Sequence, residues 1–513
     1  MGWGWGNVWR TCAIASCVLT TVGVRADAQK KSTAKSAESP RFVEVPCQGP
    51  WGTAPGAGRE VVRCGTVTVP QDRRAPNDSR LVNVVLPVVM YSLPGARGTP
   101  MLFLAGGPGE SSIDAVQRVL LETPTGQMIL RERPIIAFDR RGYSPVFERA
   151  MPDMGAVMFQ PRGRRDLAIA PLRDSLIRRA QELRANGVEP KNFTTAAVVE
   201  DIADVAHALK IDKFVLFGVS YGTHEALQFM QRHPTMVELA VLDGVAPPSA
   251  TQLLDSTYMS NMGRSIISRI VTECKADAVC ASQYADLAQS VANLTASATP
   301  LRRTVASPLS GDWRTIEVNG QSVLSVLGIA SSAEEVLASV PRIIVEFAGA
   351  DTLHDELAPR VLIAAAIDPS LQTTAQQAVP LVRYIALCGD RPQGEPKAGN
   401  RTLCDALGVP FGGQEVTAPV TSDIPTLLIS SGYDAQTPAE LADSAAKTLS
   451  RSQRVHFPTA GHVAFPRPLV TACAAIVVDS FLRHPDQMPP SSCTGGLAPA
   501  FVPRIQSSLA KKP

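Results

Sequence analysis

Short apolar segments alternate with longer amphipathic segments along much of this 513-residue chain. The apolar segments are rich in β-branched and aromatic residues, which is typical of buried β-strands. We predict strands at residues 61–69, 81–89, 101–104, 134–138, 213–217, 237–242, 426–430 and 454–457. Residues such as Val198, Ile202 and Val205 recur at helical spacing between them. The alternation predicts an α/β fold, with a mostly parallel central sheet and helices on both faces.

One long segment, residues 246–424, interrupts this alternation with a mostly helical pattern that includes Ile266 and Ile270. A crossover between parallel strands needs only a dozen or more residues. We therefore predict an inserted helical cap between two parts of the core, residues 41–245 and 425–495. Because ligands bind at the carboxyl ends of strands in such sheets, the cap is expected beside the site. The alternative is a separate domain unrelated to the site.

The amino-terminal residues predict export. One cation and no acidic residue precede an apolar run, and a small-x-small pattern ends at Ala28. This predicts a signal peptide over residues 1–28 and a periplasmic or secreted protein. The alternatives are a short anchor or a lipoprotein signal at Cys17. Residues 29–40 are expected to be a polar linker, and residues 496–513 a carboxyl-terminal tail.

Composition and charge exclude several classes of protein. Hydrophobic residues make up 45% of the chain and charged residues 19%, which indicates a globular protein. Lys and Arg total 49 against 47 for Asp and Glu, and without a basic excess no nucleic-acid partner is expected. No apolar run is long enough to span a bilayer, so stable membrane insertion is not expected in the mature protein. The oligomeric state stays open.

The cysteine count points to disulfides. Ten cysteines are present, and those beyond the predicted signal peptide are Cys47, Cys64, Cys274, Cys280, Cys388, Cys404, Cys473 and Cys493. An even set in an exported chain favours disulfide bonds, although it allows about a hundred connectivities. The cysteines form four near-neighbour couples, so sequential pairing is the simplest hypothesis. No cysteine or histidine cluster has metal-ligand spacing, and no metal or cofactor is predicted.

The first candidate for catalysis is Ser220, in the sequence GVSYG at residues 218–222. A predicted strand precedes it and a helical segment, 223–232, follows it, which is the context of a nucleophile elbow. The turn is strained, and side chains at positions 218 and 222 would collide with neighbouring backbone. The start of the following helix favours developing negative charge. The alternative is an ordinary glycine-rich turn.

A catalytic serine needs a base, and seven histidines are available. In proteins with a nucleophile elbow the order along the chain is serine, acid, histidine. His456, His462 and His484 lie late enough. We expect His456 to pack within the last strand and His484 to end a terminal helix, whereas His462 follows small residues in a loop. We predict that His462 is the base.

The acid that orients this imidazole is predicted to be Asp434, three residues past a strand and 28 residues before the histidine. Asp243, at the end of an earlier strand, is the rival. Asp139 and Asp423 are better explained as loop or capping residues. The oxyanion hole needs two backbone N–H donors. We predict those of Tyr221 and of Gly107, with Gly106 as the alternative, in the GGPG loop after strand 101–104.

Together these segments resemble the α/β-hydrolase fold and, closely, the serine aminopeptidase family of proline iminopeptidases and secreted tripeptidyl aminopeptidases. The matching segments are 63–70 (RCGTVTVP), 106–109 (GGPG), 139–142 (DRRG), 218–223 (GVSYGT), 434–438 (DAQTP), 461–462 (GH) and the Cys473…Cys493 couple. The resemblance covers about residues 45–495. Iminopeptidases carry histidine before GGPG, where this chain has Ala105, so the sequence favours the tripeptidyl branch.

The resemblance implies an exopeptidase that cuts from the free amino end of a small peptide. It also implies acidic cap residues for the substrate ammonium, with Glu334, Glu335 and Glu346 as candidates; the substrate-binding residues stay unassigned. The expected function is an exported serine hydrolase that works through an acyl-enzyme and loses activity below about pH 6. One alternative is a carboxylesterase or lipase-like hydrolase of the same fold. Another is an exported binding module without turnover.

Overall fold

The computed structural model describes residues 40–47, 61–142, 165–297, 299–306, 313–349, 381–393, 398–468, 470–495 and 500–501. All of them belong to one structural unit, Ser39–Pro513. The predicted signal peptide lies outside the described residues, and so do the linker up to residue 39 and the predicted tail apart from residues 500 and 501.

Nine of the described strands form one mixed sheet. The strands of the chain are β1 (Phe42–Val45), β2 (Val61–Val69), β3 (Val84–Ser92), β4 (Met101–Leu104), β5 (Ile135–Phe138), β6 (Phe214–Val219), β7 (Val237–Asp243), β8 (Leu301–Ala306), β9 (Trp313–Val318), β10 (Thr426–Tyr433) and β11 (Ser452–Gly461). The sheet order is β1-β2-β3-β5-β4-β6-β7-β10-β11. Pairing is antiparallel from β1 to β5 and parallel from β5 to β11. The mostly parallel sheet is as predicted.

Helices connect these strands. They are α1 (Ser112–Val116), α2 (Pro124–Glu132), α3 (Arg165–Ala185), α4 (Thr195–Leu209), α5 (Tyr221–Arg232), α6 (Ser256–Ala276), α7 (Ala278–Gln283), α8 (Leu287–Ala296), α9 (Gly320–Ala330), α10 (Glu334–Gly349), α11 (Leu381–Gly389), α12 (Ala398–Leu407), α13 (Ala439–Ala446) and α14 (Thr471–Arg483). Short polar side chains begin several of them. The Thr123 hydroxyl accepts from the N–H of Gly126, and the Asp255 carboxylate accepts from that of Thr257. Such caps satisfy the free N–H groups of a helix start.

The sheet is buried on both faces because its central strands are apolar throughout. Along β6, Phe214 and Leu216 join one apolar cluster, whereas Val215 and Phe217 join another. Successive side chains of a strand point to opposite faces, so the two clusters are the cores on either side of the sheet. This arrangement explains why the strand reads as a continuous apolar run instead of an alternating one.

The chain between β7 and β10 builds a third core. Its buried residues include Ile266, Ile270 and Ile344, and they pack with Tyr433 and Ala435. Those two residues flank Asp434, so this core lies against a predicted catalytic loop. The described part of this segment is mostly helical as predicted, but it also contains an antiparallel hairpin of β8 and β9 that the sequence pattern did not indicate. The cap boundaries at 246 and 424 stay a prediction.

Four disulfides join the eight cysteines in sequential order. They pair Cys47 with Cys64, Cys274 with Cys280, Cys388 with Cys404, and Cys473 with Cys493. The simplest hypothesis of pairing is confirmed. Each disulfide closes a loop of at most 20 residues, so each one fixes local structure instead of joining distant parts of the chain.

Three predicted strands have boundaries that differ from those in the structure in a way that matters. Strand β3 starts at Val84 and not at residue 81, because Leu81 closes a turn by donating its N–H to the carbonyl of Asp78. Strands β10 and β11 both run further than predicted. As a result, Asp434 and His462 follow the last residue of their strands directly instead of lying out in a loop.

Candidate active site

Ser220 alone makes the turn from β6 to α5. Its φ of 52° and ψ of −123° form a combination that residues other than glycine rarely adopt. Its N–H donates to the carbonyl of Asp243 on the neighbouring strand, at 2.8 Å, and this bond supports the strained turn. The structure therefore has the strand–turn–helix geometry that the sequence predicts around this serine.

The two glycines of the GVSYG motif are required by close packing. A Cβ at Gly222 would lie 2.1 Å from the carbonyl oxygen of Leu104, at the end of β4. A Cβ at Gly218 would lie 2.7 Å from the carbonyl oxygen of Gly222. Both distances are shorter than any van der Waals contact allows. The elbow can approach β4 only because Gly222 lacks a side chain, and it can turn this tightly on itself only because Gly218 lacks one.

Ser220, His462 and Asp434 lie in one chain of hydrogen bonds. Nε2 of His462 is 2.8 Å from Oγ of Ser220, and Nδ1 is 2.8 Å from Oδ2 of Asp434. Each residue directly follows a strand, namely β6, β10 or β11. Because these strands run parallel in one sheet, their carboxyl ends meet at a common edge. The sheet thus brings together three side chains that are far apart in sequence.

The Asp434 carboxylate is held as an anion. Its Oδ1 accepts the N–H groups of Gln436 and Thr437, at 2.9 and 2.8 Å, and its Oδ2 accepts the Thr437 hydroxyl at 2.7 Å. Burial would raise the pKa of Asp434, but His462 and the hydrogen bonds from Thr437 outweigh burial and lower it. Burial would likewise lower the pKa of His462, but Asp434 raises it overall. The Asp434 anion therefore stabilises the imidazolium ion that forms when His462 accepts a proton.

Asp243, the rival acid, has a different set of partners. Its Oδ2 accepts the N–H groups of Ala464 and Phe465, at 2.7 and 3.2 Å. Its Oδ1 is buried and has no hydrogen-bond partner among the residues that the structure describes. Burial raises the pKa of Asp243 to about 7. Asp243 thus fixes the chain that follows His462, whereas Asp434 contacts the imidazole itself.

The two predicted oxyanion donors belong to two segments next to Ser220, the start of α5 and the GGPG loop. Tyr221 is the first residue of α5, where backbone N–H groups lack helical partners. The GGPG loop follows β4 and contains Gly107 with a φ of 113°. A Cβ at Gly106 would stand 3.1 Å from Cβ of Ser220, so this loop packs directly against the serine.

The other candidates lie elsewhere or make other contacts. His456 is exposed and contacts Ser430, so the expectation that it packs inside was wrong. His484 follows α14 and donates its N–H to the carbonyl of Ser480. Of the candidates for amine binding, Glu346 pairs with Arg342 at 2.9 Å. Glu334 begins α10, and the side chain of Glu335 lies outside the described residues.

Two contacts of the site were missed in the sequence analysis. The Thr437 hydroxyl lies 3.1 Å from Nδ1 of His462 and also bonds Asp434. A hydroxyl three residues after the predicted acid was the available signal. The buried hydroxyl of Tyr221 contacts Thr195 at 2.5 Å and donates to Asp390. No local pattern signalled that contact, because Asp390 is 169 residues from Tyr221.

Neither a metal nor a membrane is indicated by the described residues. Within them, no cluster of three or more histidine, cysteine or acidic side chains is arranged to hold a metal ion. No helix in the described part of the chain combines the length and the apolar character needed to cross a membrane.

Two segments of the chain that carry parts of the site match known protein families. Residues 99–266 match the family described as "alpha/beta hydrolase fold", and this range includes Ser220, the GGPG loop and Tyr221. Residues 393–493 match the family described as "TAP-like protein", which covers Asp434 and His462. The topology and these matches show that the chain has the α/β-hydrolase fold. Its carboxyl-terminal part is similar to the TAP-like family.

Individual relatives are more distant. Serine protease Hip1 of Mycobacterium tuberculosis is 24% identical over 226 residues, which cover 42% of this chain and 42% of Hip1. Tripeptidyl aminopeptidase of Streptomyces coelicolor is 24% identical over 212 residues, which cover 40% of this chain and 38% of the relative. The chain thus aligns with less than half the length of these relatives. Among solved structures, proline iminopeptidase of Mycobacterium smegmatis is 14% identical with a TM-score of 0.37, covering 82% of this chain and 98% of that one.

Proposed function

We propose that this protein is a serine peptidase of the aminopeptidase type, which releases short peptides or amino acids from the amino ends of peptides. The observation that carries the proposal is the chain of two 2.8 Å contacts from Ser220 through His462 to Asp434. The named activities of Hip1 and of the Streptomyces enzyme support peptides as the class of substrate.

In the first half of the reaction, Nε2 of His462 takes the Ser220 proton as Oγ attacks a substrate carbonyl. The N–H groups of Tyr221 and Gly107 bind the resulting oxyanion. Asp434 stabilises the imidazolium and keeps its Nδ1 proton in place. The imidazolium then protonates the leaving amine, and the acyl group stays on Ser220 as an ester.

In the second half, water takes the place of the amine. His462 removes a proton from the water as it attacks the acyl ester, and the same N–H groups bind the second oxyanion. His462 then returns the proton to Oγ of Ser220, which releases the acid product. No residue beyond those of the first half is needed, because the two halves use the same groups in reverse roles.

The segment 246–424 acts as a cap over this site in our proposal. Its apolar core includes Tyr433 and Ala435, the neighbours of Asp434, and this contact supports the assignment. Export is proposed as well. Four disulfides are expected in an oxidising compartment and are rare in the cytosol.

A peptide-library cleavage profile tests the proposal. Peptides with a free amino end should lose amino-terminal fragments, and the same peptides acetylated at that end should not. Ser220→Ala should reduce the rate by about 10³-fold or more. His456→Ala is the matched control for His462→Ala. It also removes an imidazole, but one that is exposed and contacts Ser430 instead of Ser220.

Three other results would replace the proposal. Cleavage inside acetylated peptides would indicate an endopeptidase. Turnover of short-chain esters with no turnover of amides would indicate a carboxylesterase. Failure of a fluorophosphonate probe to label Ser220 would indicate a binding module without turnover.

A further inference from the structure

A buried arginine donates hydrogen bonds to the loop that carries one of the proposed oxyanion donors. Arg140 lies in the DRRG segment after β5, and its side chain is 4% exposed. Its Nη1 donates to the carbonyl of Glu110 at 2.8 Å and to that of Gly106 at 3.3 Å, and its Nη2 donates to the carbonyl of Ala105. One guanidinium therefore holds three carbonyls of the loop between β4 and α1.

These contacts fix the direction of the N–H groups in the loop. The peptide groups 105–106 and 106–107 are trans, since the cis bond of this loop is Gly107–Pro108. In a planar trans peptide the N–H points away from the C=O. Holding the carbonyls of Ala105 and Gly106 against Arg140 thus turns the N–H groups of Gly106 and Gly107 away from it. It also keeps two carbonyl oxygens from facing a developing oxyanion.

The same guanidinium also forms an ion pair with the helix that follows Ser220. Nε of Arg140 lies 2.5 Å from Oε1 of Glu225, whose side chain is 1% exposed. Glu225 lies on α5, one turn after Tyr221, which carries the second proposed donor. The Arg140–Glu225 pair therefore connects the two elements that supply the oxyanion hole.

The stability of the fold does not explain this arrangement. A buried ion pair gains little over a well-packed apolar pair, because both ions lose their hydration. Here the cost is larger, since Oε2 of Glu225 is buried without a hydrogen-bond partner among the described residues. Burial alone would lower the pKa of Arg140, but Glu225 outweighs it and raises the pKa, so the guanidinium stays charged.

We infer that Arg140, together with Glu225, is a positioning residue that sets the geometry of the oxyanion hole. Arg140 orients the N–H groups of the loop toward the oxyanion, and its ion pair with Glu225 holds that loop against the helix that begins at Tyr221. The inference rests on the proposed function, because it needs Ser220 to attack a carbonyl.

The neighbouring Arg141 offers a matched control. It is also fully buried, pairs with Asp201 at 2.6 Å, and donates to the carbonyls of Gln71 and Asn192. It thus has the same kinds of partner as Arg140, but none of these partners belongs to the oxyanion loop or to α5. Arg141→Lys and Arg140→Lys should lower the melting temperature to a similar degree.

The test measures catalysis per folded molecule in the full chain. The readouts are the rate constant for Ser220 labelling by a fluorophosphonate, and kcat and KM on a tripeptide p-nitroanilide with a free amino end. We expect Arg140→Lys to slow labelling and to lower kcat by about 10²-fold, as loss of one oxyanion donor does, with KM within threefold of wild type. Glu225→Gln should lower both about tenfold, and Arg141→Lys should change neither by more than threefold.

Several outcomes would overturn the inference. One is an Arg140→Lys protein with labelling and kcat within threefold of wild type. Another is an equal loss in Arg141→Lys, which would show that the effect is general destabilisation. If Arg140→Lys does not fold, the labelling rate constant and kcat of Glu225→Gln test the inference instead. The amide oxygen of this variant can still accept a hydrogen bond from Nε of Arg140. If wild type is not labelled at Ser220, the proposed function itself fails, and that result is separate from any difference between variants.

Discussion

Two buried aspartates lie at the carboxyl ends of neighbouring strands, and their surroundings shift their pKa values in opposite directions. Asp243 ends β7 and is 0% exposed, whereas Asp434 follows β10 and is 1% exposed. Burial raises the pKa of Asp243 to about 7. The same burial acts on Asp434, but the imidazole and the Thr437 hydrogen bonds lower its pKa. Equal burial therefore does not determine the charge of a carboxyl; its partners do.

The comparison separates two roles. Asp434 is an anion that faces His462, and we propose that it stabilises the imidazolium during catalysis. Asp243 holds the N–H groups of Ala464 and Phe465, which follow His462 in the chain. It therefore supports the position of the histidine without touching the imidazole ring. Substitutions at the two positions should differ accordingly.

The largest effect is expected from Asp434→Asn. An amide has the shape of the carboxylate but cannot stabilise the imidazolium, and it favours the wrong tautomer of the imidazole. We expect kcat at pH 7 to fall by about 10³- to 10⁴-fold, with the melting temperature changed much less. Steady-state kinetics on the tripeptide p-nitroanilide measure the loss, with Asp243→Asn as the control. A loss below tenfold would remove Asp434 from the proposed triad.

The next largest effect is expected in the dependence of kcat/KM on pH. Because Asp434 raises the pKa of His462 above its usual 6.5, the acid limb of kcat/KM should be centred above that pH, and not near pH 6 as expected from the sequence alone. Below it the rate should fall about tenfold per pH unit, since only the neutral imidazole accepts the serine proton. In Asp434→Asn the limb should move to lower pH, because the anion that stabilises the imidazolium is gone. A wild-type profile that stays flat down to pH 4 would contradict the role of His462.

Local sequence patterns predict that Ser220, Asp434 and His462 come together, and the structure has them in contact, for a physical reason. The elbow needs small residues within two positions of Ser220, and parallel strands bring Asp434 and His462 to the same edge of the sheet. These requirements are short-range or follow from strand order. The sequence can show both without knowledge of side-chain packing.

Contacts that depend on packing could not be predicted in the same way. Arg140 and Glu225 are 85 residues apart, and neither shows a local pattern that points to the other. The hairpin of β8 and β9 was missed because the surrounding segment is helical. The lengths of β10 and β11 were underestimated because small and polar residues such as Ser431 and Thr459 continue these strands.

Thr437→Val should have a smaller effect than Asp434→Asn. The substitution removes the hydroxyl that bonds Oδ2 of Asp434 at 2.7 Å and lies 3.1 Å from Nδ1 of His462. A hydrogen bond to a charged group contributes about 1.5 kcal/mol or more, which corresponds to a loss of about tenfold in kcat. Thr437→Ser keeps the hydroxyl and should stay within threefold of wild type. Equal kinetics for the two variants would show that the hydroxyl does not assist Asp434.

The smallest effect on activity is expected from Asp243→Asn. The amide oxygen can still accept the N–H groups of Ala464 and Phe465, so kcat per folded molecule should stay within threefold of wild type. A loss equal to that of Asp434→Asn would instead make Asp243 the acid of the triad.

Stability is where Asp243→Asn should differ from wild type. The folded protein keeps the Asp243 proton up to about pH 7, whereas the unfolded chain releases it near pH 4. The folded state therefore binds more protons in this window, and the contribution of Asp243 to stability falls as the pH rises, by at most about 1.4 kcal/mol per pH unit. Asp243→Asn has no such titration. Melting temperatures measured from pH 5 to pH 8 should therefore show the variant gaining on wild type as the pH increases, and parallel curves would mean that Asp243 is ionised in the folded protein throughout.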